Sequence, residues 1–528
     1  MTARVLVSDD LSSEAVQILK KAGLEVDVKV GLKPEELEGI IGQYDALAVR
    51  SATKVNAKVL AKATRLKVVG RAGVGVDNVD LDAATKRGVV VMNTPGGSST
   101  TVAELALALV LSLSRHVAAA TASVKAGKWE KKKFQGHELA GRTLGVVGIG
   151  NIGSVLVDRA RAMKMRALAY DPFISADAAS KLGVELVDLE TLWRESDVIS
   201  LHVPLTEQTK NLINAEVLAK MKKGAVLVNC ARGGIVDEKA LAEALASGHL
   251  AGAAMDVFEK EPPPPDHPLL KFENFACTPH IGASTEEAQS AVAVAIAEQL
   301  VAYLKHGLVK NAVNAVGLPP EVMDRLAPYL PLVEQLGSLA AQLAPASPTE
   351  ITLEVAGELS ALPSRPLANR ALVGLLKHFT ETPVNEVNAP AIARERGLSV
   401  KEVRTAEPLD YASLVTIRVG GPSGEVQVAG TVYGKHEARI VRVDGFRLEA
   451  VPEGHVILCE NDDAPGVVGN LGTALGSAGV NIARISLSRL EDRSRAYAFL
   501  NVDSAPAPAV VEGLRKLPHV RSVRAIEL

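Results

Sequence analysis

The stretch Gly148 to Gly153, "GIGNIG", constrains the fold of this chain more than any other. Its glycines fit G-x-G-x-x-G at Gly148, Gly150 and Gly153, a spacing that also suits a plain tight turn in a glycine-rich chain. The flanks decide between those readings. An apolar strand pattern, "TLGVV", runs into the motif, and a helical one, "NIGSVLVDRARAM", runs out of it. With side chains missing, backbone amides and the helix N-terminus can approach a pyrophosphate. Asp171 closes the next strand pattern, "RALAYD", about twenty residues past Gly150, where a carboxylate can accept from ribose hydroxyls. Strand, loop, helix and acid together predict a Rossmann-type dinucleotide site. The acid would repel a 2′-phosphate, so NAD is expected rather than NADP.

The surrounding pattern extends that unit in both directions. Before it, "RVLVSD", "DALAVR", "LKVVGRAG" and "GVVVMNTP" alternate with amphipathic stretches such as "SEAVQILKKAG", which predicts a first doubly wound α/β layer. A single long helix is expected over "TVAELALALVLSLSRHV". Another is expected over "STEEAQSAVAVAIAEQLVAYLKHG", opened by a capping-box spacing from Ser284 to Glu287 and packed back on the first layer, so that two crossings make a hinged cleft. Gly and paired Pro in "NAVGLPPEVMD" mark a break. Beyond it, helices mix with β-rich runs such as "EITLEVAGEL" and "EVQVAGTVYG", and "VDGF" signals a hairpin. From about 454 onward the order reads βαββαβ, a ferredoxin-like unit. The fold class is therefore α/β: two Rossmann-like domains with a cleft, a mixed α/β intervening domain, and a ferredoxin-like end.

Composition excludes some classes of function. At 528 residues the chain exceeds one core, and it has no run of about 18 uninterrupted apolar residues to span a bilayer. Acidic residues interrupt the N-terminus before any signal-peptide pattern, and the cysteines Cys230, Cys277 and Cys459 are scattered, so a reducing cytoplasmic setting is expected. A net charge of -3 gives no reason to expect nucleic acid or an anionic membrane as partner.

Downstream of the glycine loop lie three polar signals: Arg232 in "VNCARGGIVDE", Glu261 in "AAMDVFEKEPPP" and His280 in "CTPHIGAST". No H-x-x-x-H, cysteine cluster or dense carboxylate group surrounds His280, so no metal is expected there. Oxidising a hydroxy acid requires a base for the hydroxyl proton, and an imidazole near its reference pKa of about 6.5 can take it. A nearby carboxylate would orient that imidazole, and an arginine would grip the substrate carboxylate at two points. By spacing alone, Arg232 fits a surface ion pair and Glu261 a solvated turn equally well.

The successive segments "GVVGIGNIG", "LHVPLTEQTKNLI", "VNCARGGIVDE", "AAMDVFEKEP" and "TPHIGAST" resemble the signatures of the D-isomer-specific 2-hydroxyacid dehydrogenases across most of residues 1–315. "DDAPGVVGNLGTALGSAGVNI" resembles an ACT regulatory domain. The resemblance implies a catalytic set of Arg232, Glu261 and His280, with His280 as acid/base, Glu261 as its partner and Arg232 as substrate clamp. It places Asn151 and Ile152 in the cofactor loop, and Cys230, Ala231 and Asp256 near the nicotinamide of NAD. It implies substrate contacts at Arg50, Arg71, Val74 and Gly75, with 3-phosphoglycerate as substrate. Arg50 and Lys131 are its implied phosphate partners, Lys131 by reaching a neighbouring subunit. Ser98 stands where the family commonly has asparagine. At the regulatory end, Asp463 and Asn481 match ligand positions of ACT domains, and the βαββαβ order is expected to bring them to one edge for L-serine; Asn461 stands where relatives carry tyrosine.

The expected division is a substrate domain of residues 1–97 and 285–315, an NAD domain of 98–284, an intervening domain of 316–452 and an ACT domain of 453–528. A homo-oligomer is expected, dimerised through the helix near residues 100–117 and forming tetramers through the C-terminal regions. Another D-2-hydroxyacid dehydrogenase, or an NAD-sensing binding protein on the same scaffold, would share much of this pattern; retention of all three polar groups favours chemistry.

Overall fold

The computed structural model describes residues 2–344, 348–381, 383–407, 410–422 and 424–528. Residues 4–92 build a five-stranded parallel sheet ordered Glu25–Val28, Arg4–Val7, Ala46–Val49, Val68–Arg71, Val90–Met92. The three strands between the edges are nearly continuous apolar runs because helices cover both faces. One covering helix is Ser13–Lys21. Another is the distant Glu286–His306, whose Val292, Ile296 and Leu300 share a core with Val5, Val7 and Leu19. That helix is capped by Thr285, whose side chain accepts from Ala288 N, so the capping box expected from Ser284 does not form. Ser284 instead donates its backbone N–H to Ile281 O in the preceding turn.

A seven-stranded parallel sheet follows, ordered Phe275–Cys277, Gly252–Met255, Val226–Asn229, Val198–Leu201, Thr143–Val147, Arg166–Tyr170, Glu185–Leu186. The strand order reverses beside Thr143–Val147, and ligands of such sheets bind outside the carboxyl ends of the strands at that point. The helix expected to run unbroken to Val117 ends at Ser114. His116 takes φ 55, and a second helix, Val117–Lys125, departs at 63°. The apolar pattern continues through this break, which is why the sequence does not display it.

The chain crosses between the two layers at residues 93–98 and returns at 283–285. The crossings are neighbours: Thr101 Oγ1 lies 3.4 Å from Thr285 Oγ1.

The C-terminal half forms a six-stranded mixed sheet and a four-stranded antiparallel one. In the first, Asp444–Gly445 turns Glu437–Val443 into Phe446–Ala450, with Asp444 at φ 49. The second is ordered Ile482–Arg489, Arg495–Val502, His455–Asp462, Val520–Glu527. Its Val456, Leu458, Tyr497, Phe499 and Ile526 enter the same core as Leu336 and Leu339 of the helix Tyr329–Leu343, and Tyr497 stacks on Phe446 at 4.9 Å. These two sheets form one packed body. That body also touches the first layer: Asn385 Nδ2 donates to Gly88 O at 2.8 Å, Asn388 Nδ2 to Lys86 O at 3.5 Å, and Val387 joins the first layer's core.

Candidate active site

The glycine loop begins where strand Thr143–Val147 ends. Gly148 has φ 90, and a Cβ there would lie 2.7 Å from His202 O; one on Gly153 would lie 2.3 Å from Gly148 O. A Cβ on Gly150, the N-cap of helix Asn151–Ala162, would meet nothing within 4 Å. The loop is thus closed against the protein on one side and open in front of the helix start, as a pyrophosphate cradle requires. Asn151 is exposed and Ile152 half-buried beside it. Asp171 is fixed to the loop, Oδ2 accepting from Ile149 N at 3.0 Å and Oδ1 from Phe173 N at 2.9 Å, each oxygen keeping a lone pair for a hydroxyl. These residues fit a dinucleotide.

Two strands further along the sheet, Asn229 organises the turn that follows Val226–Asn229. Its Oδ1 accepts from Ala231 N at 3.0 Å and its Nδ2 donates to Arg232 O at 2.9 Å. Cys230 and Ala231 are buried there, and burial, with Asp256 nearby, holds the Cys230 thiol protonated well above its usual range. Arg232 projects from this turn into the cleft. Its Nε donates to Asp77 Oδ2 at 3.0 Å and its Nη1 to Ala231 O at 2.7 Å.

His280 and Glu261 meet: Nδ1 lies 2.7 Å from Glu261 Oε2, while Glu261 Oε1 accepts from Phe258 N at 3.0 Å. An ionised carboxylate only accepts, so Nδ1 carries a proton, and in the neutral imidazole Nε2 is the nitrogen left as acceptor. A cavity of about 320 Å³ adjoins the pair, lined by Asp256, Phe258, Glu261, Cys277 and His280 among others. Burial raises the Cys277 thiol pKa as well.

Asp256 is almost fully buried and its carboxylate is occupied by the histidine loop. Oδ1 accepts from Thr278 Oγ1 at 2.5 Å and Ile281 N at 2.8 Å, Oδ2 accepts from Gly282 N at 2.8 Å, and its backbone O accepts from His280 N at 2.9 Å. The loop therefore hangs on the residue expected to touch the cofactor. Beneath Glu261, Glu238 Oε2 pairs with His267 Nε2 at 2.9 Å and Oε1 accepts from Glu259 N at 2.7 Å. Asn229, Asp77, Glu238 and His267 carry no mark of a site role in the sequence, although "VNCARGGIVDE" and "DHPLL" contain three of them.

The opposite wall carries Arg50 and Arg71. Arg50 donates its N–H to Asp9 Oδ2 at 2.6 Å and its Nη1 to Asp10 O at 3.1 Å. Burial, then the charges of Arg232 and Arg50, lowers the Arg71 pKa, and Asp77 opposes them; Arg71 Nε is buried without a partner among the described residues. Three guanidiniums facing one cleft with an unspent donor suit a multiply charged anion. Val74 and Gly75 lie on the loop between Arg71 and Asp77. Ser98 is buried at the N-cap of helix Ser99–Ser114. Lys131 sits in the exposed turn Lys131–Phe134, away from these groups.

Asp463 and Asn481 do not come to one edge within a chain. Ile482 and His455 both lie level with Val502, whereas Asp462 and Arg489 face Arg495 and Ala496, so the two candidates stand at opposite ends of the sheet. Parallel alignment of the first two strands of the unit forces this. Asp463 pairs with Arg489 at 3.6 Å, Asn481 Nδ2 donates to Asp503 at 2.7 Å, and Asn461 is buried.

Comparisons place these features among known proteins. Residues 107–282 match the D-isomer specific 2-hydroxyacid dehydrogenase NAD binding domain, 325–444 the D-3-phosphoglycerate dehydrogenase intervening domain, and 455–519 the ACT domain. The chain is 43% identical over 527 residues to D-3-phosphoglycerate dehydrogenase of Archaeoglobus fulgidus, covering 99% of this chain and 100% of that one. It is 40% identical over 529 residues to the Bacillus subtilis enzyme of the same name, covering 99% of each. Among solved structures, NAD+-bound 3-phosphoglycerate dehydrogenase of Entamoeba histolytica superposes with a TM-score of 0.51 at 31% identity, over 60% of this chain and 99% of that one.

Proposed function

The chain belongs to the D-3-phosphoglycerate dehydrogenases, within the D-isomer specific 2-hydroxyacid dehydrogenase family, and from that premise we infer which of its residues carry the reaction. It is an NAD-dependent oxidoreductase that converts D-3-phosphoglycerate to 3-phosphohydroxypyruvate, the entry to serine biosynthesis. Residues 1–97 with 285–315 act as the substrate domain and 98–284 as the NAD domain. Gly148, Gly150, Asn151, Ile152, Gly153 and Asp171 would hold the cofactor, with Cys230, Ala231 and Asp256 on its nicotinamide side. When bound, NAD supplies the hydride acceptor.

The observation that carries the assignment of roles is the 2.7 Å contact between His280 and Glu261. Bare Nε2 takes the hydroxyl proton as the hydrogen on the same carbon departs with its electron pair, leaving a ketone. The resulting imidazolium is stabilised by Glu261, which Phe258 N holds in place. Arg232 receives the substrate carboxylate and polarises the adjoining oxygen. Arg50 and Arg71, with Lys131 from a second subunit, receive the phosphate, and the backbone at Val74 and Gly75 lines the space between.

The chain works as a cytoplasmic homo-oligomer. The arm after Ser114 supports the oligomer, since Val117, Val124 and an 84% exposed Trp129 lie open on it. L-serine acts as effector where Asp463 of one chain meets Asn481 of another, an arrangement that two antiparallel copies of strand Ile482–Arg489 allow. The decisive experiment follows NADH absorbance with 3-phosphoglycerate. His280→Ala should keep NAD affinity and lose about a hundredfold or more in turnover; near wild-type turnover removes His280 from its role. Glu261→Gln should shift the acidic edge of the pH profile for ketone reduction, because an amide no longer favours the imidazolium.

A further inference from the structure

The contact between Arg232 and Asp77 joins opposite walls of the cleft. Arg232 follows strand Val226–Asn229 of the seven-stranded sheet, and Asp77 lies beyond strand Val68–Arg71 of the five-stranded one, 155 residues away in sequence. Arg232 has three nitrogens to place. Nε is tied to Asp77 Oδ2 at 3.0 Å and Nη1 to Ala231 O at 2.7 Å, one anchor from each wall. Two anchors fix the plane of a guanidinium that otherwise carries large rotamer freedom. Nη2 is the nitrogen left over. It lies over Gly75, where a Cβ would come within 1.8 Å of Nη2 and 2.6 Å of Asp77 Oδ2, so the loop wraps the guanidinium only because residue 75 has no side chain.

The charge balance points the same way. Arg232 and Arg50 both bear on Arg71, and Asp77 is the larger of the two carboxylate influences opposing them there. A carboxylate at this spot restrains the mutual repulsion of the three cations without occupying Nη2. The Asp77 side chain is 68% exposed, and so open an ion pair contributes little to folding. Its consequence must lie in where it holds Arg232.

We propose that Asp77 is the positioning residue for Arg232: it clasps Nε from across the cleft and turns Nη2 toward the substrate carboxylate, so that a group on one wall aligns the clamp carried by the other. This rests on the reading of Arg232 as the carboxylate clamp, and the test separates the two.

Steady-state kinetics and NAD affinity are measured on the full-length enzyme for Asp77→Ala, Asp77→Asn, Arg232→Ala and the double variant Asp77→Ala/Arg232→Ala. Asp77→Ala should raise KM for 3-phosphoglycerate by about tenfold and lower kcat, with the NAD dissociation constant unchanged. Asp77→Asn, whose amide oxygen still accepts from Nε, should recover most of the loss. In the Arg232→Ala background the loss at Asp77 should vanish, because a residue acting only through Arg232 has nothing left to position. Wild-type kinetics in Asp77→Ala, a lowered KM, or losses that add fully in the double variant would overturn the proposal while leaving Arg232 as clamp. An unchanged KM in Arg232→Ala would overturn the clamp itself and the proposal with it.

Discussion

His202 illustrates what burial does to a single side chain beside the cofactor loop. Its ring is half-buried, Nε2 lies 2.9 Å from Ser200 Oγ, and Nδ1 is shut away from solvent with no partner among the described residues. Desolvation lowers its pKa from 6.5 to about 4. The unfolded chain therefore binds a proton as pH falls through about 6.5, while the folded chain does not until about 4. Stability from this residue is complete above the upper value and drains away below it, by on the order of 3 kcal/mol once both pKa values are passed. Thermal midpoints measured from pH 7 down to pH 4.5 should fall more steeply for wild type than for His202→Gln; parallel curves would show that His202 is not the group responsible. At this scale the sequence displays a residue's type and neighbours in the chain. Asp171, Glu261 and His280 could be singled out because their motifs carry the context. Asp77 could not, since its partner is 155 residues away and only the fold brings them together.

The turn Thr278–Gly282 is the element on which the chemistry hangs. It places His280 at φ 54, a left-handed conformation that a residue with a Cβ adopts only when its surroundings insist. Asp256 supplies the insistence through three donors to its carboxylate and one to its backbone oxygen. Asp256→Asn keeps the size but turns an NH2 toward at least one of these donors, leaving a buried N–H unmet at a cost of about 1–3 kcal/mol. The variant should lose that much in urea unfolding and lose turnover through misplacement of His280; wild-type stability would mean that the turn holds itself. Strands such as Arg4–Val7, Ala46–Val49 and Thr143–Val147 are legible because strands covered on both faces read as apolar runs. Glu25–Val28, a half-exposed edge strand, shows no such run, and periodicity does not mark it. The cap of the long helix lies one residue beyond the expected Ser284 because Ser284 and Thr285 are both able caps, and local geometry alone selects the second.

In the whole molecule, the third and fourth sheets share one core and dock on the first layer through Asn385, Val387 and Asn388. Severing the chain near residue 452 would strip cover from Leu336 and Leu339, so truncation is a poor probe of the ACT domain. Paired substitution of the clasp is cleaner. On the proposal that L-serine is the effector, Asn385→Ala/Asn388→Ala should leave turnover without serine near wild type and weaken inhibition by serine several-fold, because an effector acts only as far as its binding differs between linked states. Inhibition at full strength would show that the signal takes another path. The glycine loop, the repeated α/β alternation, the Gly and Pro break in "NAVGLPPEVMD" and the βαββαβ order at the end make the succession of units readable from sequence, but which parts adhere to which depends on surfaces that periodicity does not describe. The two chain crossings that stand side by side near Thr101 and Thr285 now have a mechanical meaning. Two pins set together would permit swing about a single axis, with the glycine-loop layer as the door leaf and the first layer, with the two further sheets docked on it, as the frame.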